Sequence, residues 1–347
     1  MSKFKVPGKW IEELHSDMPV DEAARHVLEI RLKAIEKALP LAHHHPEDDI
    51  EYVHQLRVAT RRADAAIRIF RPFVNLPKRK KMRKRLRQIR RAAGEARICD
   101  VHRVAFVDKR RQAQGHQRAI LEEIISWNDA ERRRAQKSLD ATAEQYPIKK
   151  LKRARERLGD HLEPANGKKK KSAPTLIQAA RKSLPSFVDS VREDGQADLA
   201  VYDNLHQFRI SGKRLRYAME VFAPCFGDEF KQLYDRVEKL QDRLGAINDT
   251  VEIIERLTDF ATDIQEDDAG LSGSLNRDDR QNAIERLLDE YRHSLNEQTQ
   301  IFLEEWNRGD WSSLFDEVLA CIESGKQSQA GSKISHSGEV RKVEVRH

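Results

Sequence analysis

The chain has 347 residues, of which 35% are charged and 39% apolar, and only 26 are Gly or Pro (15 and 11). Sparse Gly and Pro with abundant Leu, Ala, Glu, Lys and Arg favour an all-α protein. The mean hydropathy of −0.75, together with the lack of any run near the ~20 apolar residues of a membrane span, argues against a membrane protein.

The net charge of +7, from 64 Lys and Arg against 57 Asp and Glu, is an average over unlike regions. Residues 51–100 carry 16 basic and 4 acidic residues, whereas residues 251–325 carry 6 and 19. Such segregation predicts a polyanionic partner for the basic part of the chain.

Cysteine usage and the N-terminus predict a cytoplasmic protein. Cys99, Cys225 and Cys321 lie far apart and form no CxxC pair, which fits a reducing compartment and gives no disulfide framework or zinc knuckle. The first residues, MSKFKVPGKWIEELHSDMP, lack the apolar stretch of a signal peptide.

The first predicted elements are two helices joined by a histidine-rich loop. Apolar residues at helical spacing predict a helix over 20–40 that ends at Pro40, and a second helix over about 49–71. The string HHHPEDD at 43–49 is predicted to be a solvated loop rather than a metal site.

The second helix recurs later in the chain. VHQLRVATRRADAAIRIFRP at 53–72 aligns with LHQFRISGKRLRYAMEVFAP at 205–224 at an offset of 152, and Gly94 aligns with Gly245 at an offset of 151. This duplication predicts two related halves. The expected boundaries are an N-terminal segment over 1–19, a first helical half over 20–163, a linker over 164–174, a second half over 175–323 and a disordered tail over 324–347.

The helix between the repeat motifs has a narrow apolar stripe and a basic coat. Met82, Leu86, Ile89 and Ala93 share one face of the segment 78–94, and most of its other residues are Lys or Arg. The corresponding helix of the second half carries mixed charge, so the halves are alike in shape and unequal in charge. Further on, residues 280–323 predict two more helices.

Both copies of the repeat place one histidine and three cations on a single helical face, opposite the apolar face. These residues are His54, Arg57, Arg61 and Arg68 in the first half and His206, Arg209, Lys213 and Arg216 in the second. Successive turns follow one another at roughly 5 Å, comparable with the spacing of phosphates in a linear chain. The Arg fork and the Lys point charge suit phosphate oxygens, and a neutral His still donates one hydrogen bond. Because stacked like charges destabilise a helix, the stripes predict an anionic ligand.

The strings HQLRVATRR with ADAAIRIF, HQFRISGKRLRYAMEVF and LQDRLGAINDT resemble the CHAD family, the conserved-histidine α-helical domain, over about residues 20–322. The resemblance implies an all-helical fold of two repeat-related antiparallel four-helix bundles with pseudo-two-fold symmetry around a basic groove or pore. It also implies binding of inorganic polyphosphate, association with polyphosphate granules, no enzymatic activity of the domain and no cofactor.

Carried onto this sequence, the resemblance implies polyphosphate-binding residues in both repeats: His54, Arg57, Arg61, Arg62, His206, Arg209, Lys213, Arg214 and Arg216. Arg97 occupies the position of the first-half Arg of an Arg-Asp pair. The basic helix adds four candidates, Lys84, Arg87, Arg90 and Arg91. The sequence departs from the family at Ile98, which replaces the usual Asp, and Asp64 occupies the position that matches Arg216.

Two alternative functions compete with this interpretation. The basic helix could bind the phosphates of nucleic acid nonspecifically, although it has no aromatic residue to stack on a base. A polyphosphate-metabolising enzyme would use His54 or His206 as phosphoryl acceptor or acid/base group. The sequence has no HExxH, GxSxG or P-loop motif and no nearby carboxylate cluster for Mg²⁺, so we expect a binding protein.

Overall fold

A computed structural model describes residues 6–159, 174–266, 275–309 and 311–324. Within these ranges the chain forms ten α-helices and no β-strand, which confirms the all-α prediction. The helices are Val20–His44 (α1), Glu51–Ile69 (α2), Leu76–Gln112 (α3), Gly115–Gln145 (α4), Ile148–Gly159 (α5), Leu176–Gly195 (α6), Tyr202–Phe222 (α7), Gly227–Glu266 (α8), Arg277–Asn307 (α9) and Ser312–Ser324 (α10). None of them is long and apolar enough to cross a membrane. The predicted linker and tail lie outside the described residues, apart from Pro174 and Ser324.

The helices pair in the same way in the two halves. In the first half α2 packs on α1 and α3, α4 packs on α3, and α5 returns to α1; in the second, α7 packs on α6 and α8, α9 on α8, and α10 on α6. Each half thus has a short helix beside the expected four. The halves meet through α2 against α7 and α4 against α9, so helices that are equivalent in the repeat contact each other.

Two hydrophobic cores stabilise the arrangement. The main core includes the predicted α3 stripe of Met82, Leu86, Ile89 and Ala93, which is buried. A smaller core around Phe106 forms where the distal parts of α3, α4, α8 and α9 meet. Helices α3 and α8 have 37 and 40 residues and extend roughly 55–60 Å at 1.5 Å per residue, so they connect the two cores.

The predicted end of the first helix at Pro40 is wrong. Helix α1 continues to His44 with Pro40 inside it. Proline has no amide hydrogen, so the bond to the carbonyl four residues earlier is lost. The surrounding turn buries Leu39 and Ala42 in the main core, and this burial offsets the lost hydrogen bond.

The N-terminal segment, residues 6–19, packs against the helices of both halves. The amide of Leu176 at the start of α6 donates to the carbonyl of Met18 (2.8 Å). The buried Arg31 of α1 donates to the carbonyl of Lys9 (2.8 Å). Backbone carbonyls of the segment therefore satisfy a cation that the helices alone leave without enough acceptors.

Candidate functional site

Helices α2 and α7 bring the two histidine and arginine stripes together. On α2 the apolar residues Leu56, Ala63 and Ile67 are fully buried, which leaves the charged stripe on the other side. Arg61 lies within electrostatic range of Arg209 and Lys213 of α7. We call the resulting group the central cation cluster: His54, Arg57 and Arg61 of α2, Arg97 of α3, and His206, Arg209 and Lys213 of α7.

Arg57 packs closely against α3 at Gly94. A Cβ atom at residue 94 would lie 2.8 Å from Arg57 Nη1, so the absence of a side chain lets the guanidinium approach the helix backbone. Burial and then the charge of Arg61 lower the pKa of Arg57 to about 10, and Glu252 of α8 partly offsets this shift. Arg57 is therefore a desolvated cation whose nearest charged neighbours include other arginines.

Several cations of the cluster lack hydrogen-bond acceptors. The Nε atoms of Arg61 and Arg209 are buried without a partner, and Lys213 makes no hydrogen bond or ion pair with the described residues. Burial, followed by the charges of Arg209 and Arg61, lowers the pKa of Lys213 to about 7. Unpaired buried donors and desolvated like charges destabilise the ligand-free protein. An anion with several oxygen atoms would relieve both penalties.

The two histidines are fixed in different ways. His206 Nδ1 lies 3.1 Å from Asn248 Oδ1, and Asn248 Nδ2 donates to Glu252 (2.7 Å), so the ring donates through Nδ1. Neutral His206 therefore has no donor left for a phosphate oxygen and can donate to an anion only as imidazolium. Burial and Arg97 lower the pKa of His54, which keeps its ring neutral near pH 7.

Carboxylates are few in the cluster. Burial and Glu252 raise the pKa of Asp249, while Arg209, Lys213 and Arg97 act in the opposite direction. The repeat-equivalent position in the first half is Ile98, which supplies no charge. Asp100 does not replace the missing carboxylate, because it is bound by Arg132 of α4 (Oδ1 to Nε, 2.7 Å). The cluster thus keeps an excess of positive charge.

Two predicted residues, Arg62 and Arg216, lie outside the cluster in an ion-pair network. Arg62 Nε donates to Glu220 Oε2 (2.8 Å), and Arg216 Nη1 donates to Tyr234 Oη and Glu238 Oε1 (both 3.0 Å). Tyr234 Oη also donates to Glu220 (3.1 Å). We call Glu220, Arg31, Arg62, Arg216 and Tyr234 the Glu220 network. A sequence signal was available, since Glu220 is a lone acid inside the apolar run YAMEVF.

Of the predicted cations Lys84, Arg87, Arg90 and Arg91 of α3, Arg90 lies next to the central cluster. Arg90 Nη1 is 3.7 Å from Asp64 Oδ2 and lies within electrostatic range of Arg57. Lys84, Arg87 and Arg91 are exposed, as is Arg214 of α7. The same carboxylate, Asp64, also binds Arg68 and a residue that the sequence did not single out, Arg83 (2.7 Å).

The described part of the chain holds no group of three or more His, Cys, Asp or Glu side chains placed to bind a metal ion. In the histidine-rich segment, His43 Nδ1 lies 2.8 Å from Asp140 Oδ1 of α4. His45 Nδ1 lies 3.0 Å from Asp48 Oδ2. These two histidines therefore have protein partners.

Comparison with known proteins gives a family and a fold. The family model described as the CHAD domain matches residues 26–258. Among solved structures, the crystal structure of the CHAD domain from the plant Ricinus communis has a TM-score of 0.60 and 18% identity, and the match covers 93% of this chain and 97% of that chain. PptA from Streptomyces chartreusis has a TM-score of 0.54 and 14% identity, with 83% and 99% covered. No curated protein matches the sequence.

Proposed function

The chain belongs to the CHAD domain family, and on that basis we propose that it binds inorganic polyphosphate electrostatically at the central cation cluster. The observation that carries the proposal is the set of half-buried cations from both halves that the protein leaves without acceptors: Arg61 and Arg209 at Nε and Lys213 at Nζ. Such a cluster lowers the free energy of unfolding of the ligand-free protein, and an anionic ligand removes this destabilisation.

A linear phosphate chain fits the cluster better than a single small anion. The cations are distributed along two helices at one-turn intervals of roughly 5 Å, so successive phosphates can each meet a guanidinium. Arg57, Arg61 and Arg209 donate to phosphate oxygens through their planar forks. The added negative charge favours the protonated form of Lys213, which then donates as well.

We place the protein in the cytoplasm, associated with polyphosphate granules, as a binding protein without enzymatic activity or cofactor. On this view incubation with polyphosphate and Mg²⁺ releases no phosphate, and steady release that is lost in His54→Ala would instead support a polyphosphate-metabolising enzyme.

Titration with long-chain polyphosphate at two salt concentrations tests the binding. Binding releases counterions, so affinity should fall about 50-fold between about 50 and about 200 mM salt if roughly four phosphates are contacted. Arg57→Glu combined with Arg209→Glu should abolish binding. The matched control is Arg133→Glu combined with Arg134→Glu, two exposed residues of α4 that give the same change in net charge. Binding that ignores salt, or that survives the first pair of substitutions, contradicts the proposal.

Competition separates polyphosphate from nucleic acid. Excess polyphosphate should displace duplex DNA from the protein, and DNA should displace polyphosphate only weakly. The opposite order supports a nonspecific nucleic-acid-binding protein, for which the exposed cations of α3 rather than the central cluster would supply the phosphate contacts.

A further inference from the structure

The repeat creates two equivalent surfaces beside the central cation cluster. The first, which we call the α3 face, consists of Asp64, Arg68, Arg83, Arg90 and Arg214. The second, the α8 face, consists of their repeat equivalents in the same order: Arg216, Glu220, Tyr234, Gln241 and Arg62. Equivalent positions thus differ strongly in charge, because the α3 face has four Arg and one Asp, and the α8 face has two Arg and one Glu.

On the α3 face a single carboxylate holds several cations in place. Asp64 is bound by Arg83 Nε (2.7 Å) and Arg68 Nη2 (2.9 Å), with Arg90 Nη1 at 3.7 Å. Arg214 is exposed and lies within electrostatic range of Arg68. One Asp cannot neutralise four guanidiniums, so the face keeps an excess of positive charge and free donors.

On the α8 face the protein's own oxygen atoms occupy the cations. Glu220, which is 1% exposed, accepts from Arg62 and Tyr234, and Arg216 donates to Glu238. Arg62 Nη1 also donates to the carbonyl of Pro7 in the N-terminal segment (3.2 Å). Arg216 Nε and Gln241 Nε2 have no hydrogen-bond partner, but both atoms are buried. A polyanion that approached this face would therefore meet the partly exposed Glu238 and few accessible donors.

The outer surfaces of the two long helices continue the contrast. Three exposed α3 cations align with acids of α8, namely Lys84 with Asp235, Arg87 with Glu238 and Arg91 with Asp242, whereas Lys80 aligns with Lys231. On α8, Asp235 and Glu238 accept from Lys9 Nζ of the N-terminal segment (3.1 and 3.0 Å). On α3, Lys80, Lys84, Arg87 and Arg91 follow one another at helical spacing on a single exposed side.

We propose that a polyphosphate chain longer than the central cation cluster leaves it on one side only, across the α3 face and along the exposed cations Lys84, Arg87 and Arg91. The proposal rests on the proposed function and adds to it a direction and a dependence on chain length. Arg90 connects the two regions, since it lies near both Arg57 and Asp64. The α8 face and the N-terminal segment on it exclude the chain from the equivalent path.

Two probes of different length test this path. Tripolyphosphate reports the central cluster, and long-chain polyphosphate reports the cluster together with its extension. For Lys84→Gln combined with Arg87→Gln, we expect the ratio of long-chain to tripolyphosphate affinity to fall about tenfold, with a shallower salt dependence for the long chain. The matched control is Lys231→Gln combined with Lys239→Gln, which removes the same charge from exposed positions of α8 and should leave the ratio within about twofold of wild type.

Each outcome is informative. An equal loss in the α3 and α8 variants overturns the one-sided path, because it means that only net charge matters. An unchanged ratio in the α3 variant also overturns it. Failure of the wild-type protein to bind either probe rejects the proposed function itself, whereas normal binding of both probes with no effect of the α3 variant rejects only the path.

Discussion

Arg61 and Arg62 are neighbours on α2, yet they lie in environments that differ in their supply of carboxylates. Arg61 belongs to the central cation cluster, and its Nε is buried without an acceptor. Arg62 belongs to the Glu220 network, and its Nε is 2.8 Å from a carboxylate that is 1% exposed. The comparison teaches that an arginine in the repeat motif is either paired within the protein or left with unsatisfied donors according to its surroundings, and residue type alone does not decide between these environments.

The Glu220 network should contribute more to the free energy of unfolding than the central cation cluster does. Glu220 accepts hydrogen bonds from Arg62 and Tyr234 and lies 3.8 Å from Arg31 Nη2. Glu220→Gln removes the shared counterion of the buried Arg31 and the partly buried Arg62 and Arg216, so we expect it to lower the free energy of unfolding by about 3–5 kcal/mol. Urea unfolding measures this change without adding salt.

The control for this prediction is Asp235→Asn. Asp235 also pairs with a cation, Lys9, but its side chain is 59% exposed, so the loss should stay below about 1 kcal/mol. A Glu220→Gln protein as stable as the Asp235→Asn protein would show that the buried network does not stabilise the fold.

The same substitution at the two neighbouring arginines should separate the two environments directly. Arg62→Gln removes a charged hydrogen bond to Glu220 and should lower the free energy of unfolding by about 2–3 kcal/mol. Arg61→Gln removes repulsion with Arg209 and Lys213, so the ligand-free protein should be unchanged or more stable by a few tenths of a kcal/mol. Urea unfolding without ligand measures both variants.

Polyphosphate titration of the same two variants should rank their effects on affinity in the reverse order. Arg61→Gln should lower the affinity about tenfold or more through the loss of a charge-assisted contact, and folded Arg62→Gln should bind nearly as well as wild type. Loss of stability in both variants, or equal loss of affinity in both, contradicts the division between the central cation cluster and the Glu220 network.

The sequence was sufficient for the fold class and for most of the central cluster. The helical period placed His54, Arg57 and Arg61 on one face, and the repeat placed His206, Arg209 and Lys213 on the equivalent face, because local spacing determines which side of a helix a residue occupies. Whether α2 and α7 face each other is a tertiary property, and it depends on which surfaces the main core buries.

Pairing between distant residues could not be predicted from the sequence for the same reason. The contact of Arg62 with Glu220 joins residues 158 positions apart, and the contact of Lys9 with Glu238 joins residues 229 apart. The wrong end of α1 at Pro40 has a similar origin, since a local rule was overridden by burial of Leu39 and Ala42 in the core. The carboxylates that neutralise Arg62 and Arg216 therefore emerge only in the folded chain.

The last expected effect, at most about tenfold per pH unit, is a dependence of binding on pH that originates at Lys213. Burial and the neighbouring Arg209 and Arg61 lower the pKa of Lys213 from its ordinary value of 10.5 to about 7. Between these values the unfolded chain binds a proton that the folded protein does not, so the free energy of unfolding without ligand should rise as pH increases above 7. Bound polyphosphate favours the charged amine, so affinity should change in the opposite direction and fall over the same range.

Lys213→Arg isolates this effect, because arginine stays protonated throughout. We expect wild-type affinity for long-chain polyphosphate to fall by up to about tenfold for each pH unit above 7, the limit for uptake of one proton, and the variant to show a weaker dependence. Titration of the terminal phosphates is common to both proteins and cancels in the comparison. His54 stays neutral in this range because burial and Arg97 lower its pKa. Equal pH profiles for the two proteins would contradict this prediction. They would mean that Lys213 is already charged in the ligand-free cluster, despite its burial and the repulsion from Arg209 and Arg61.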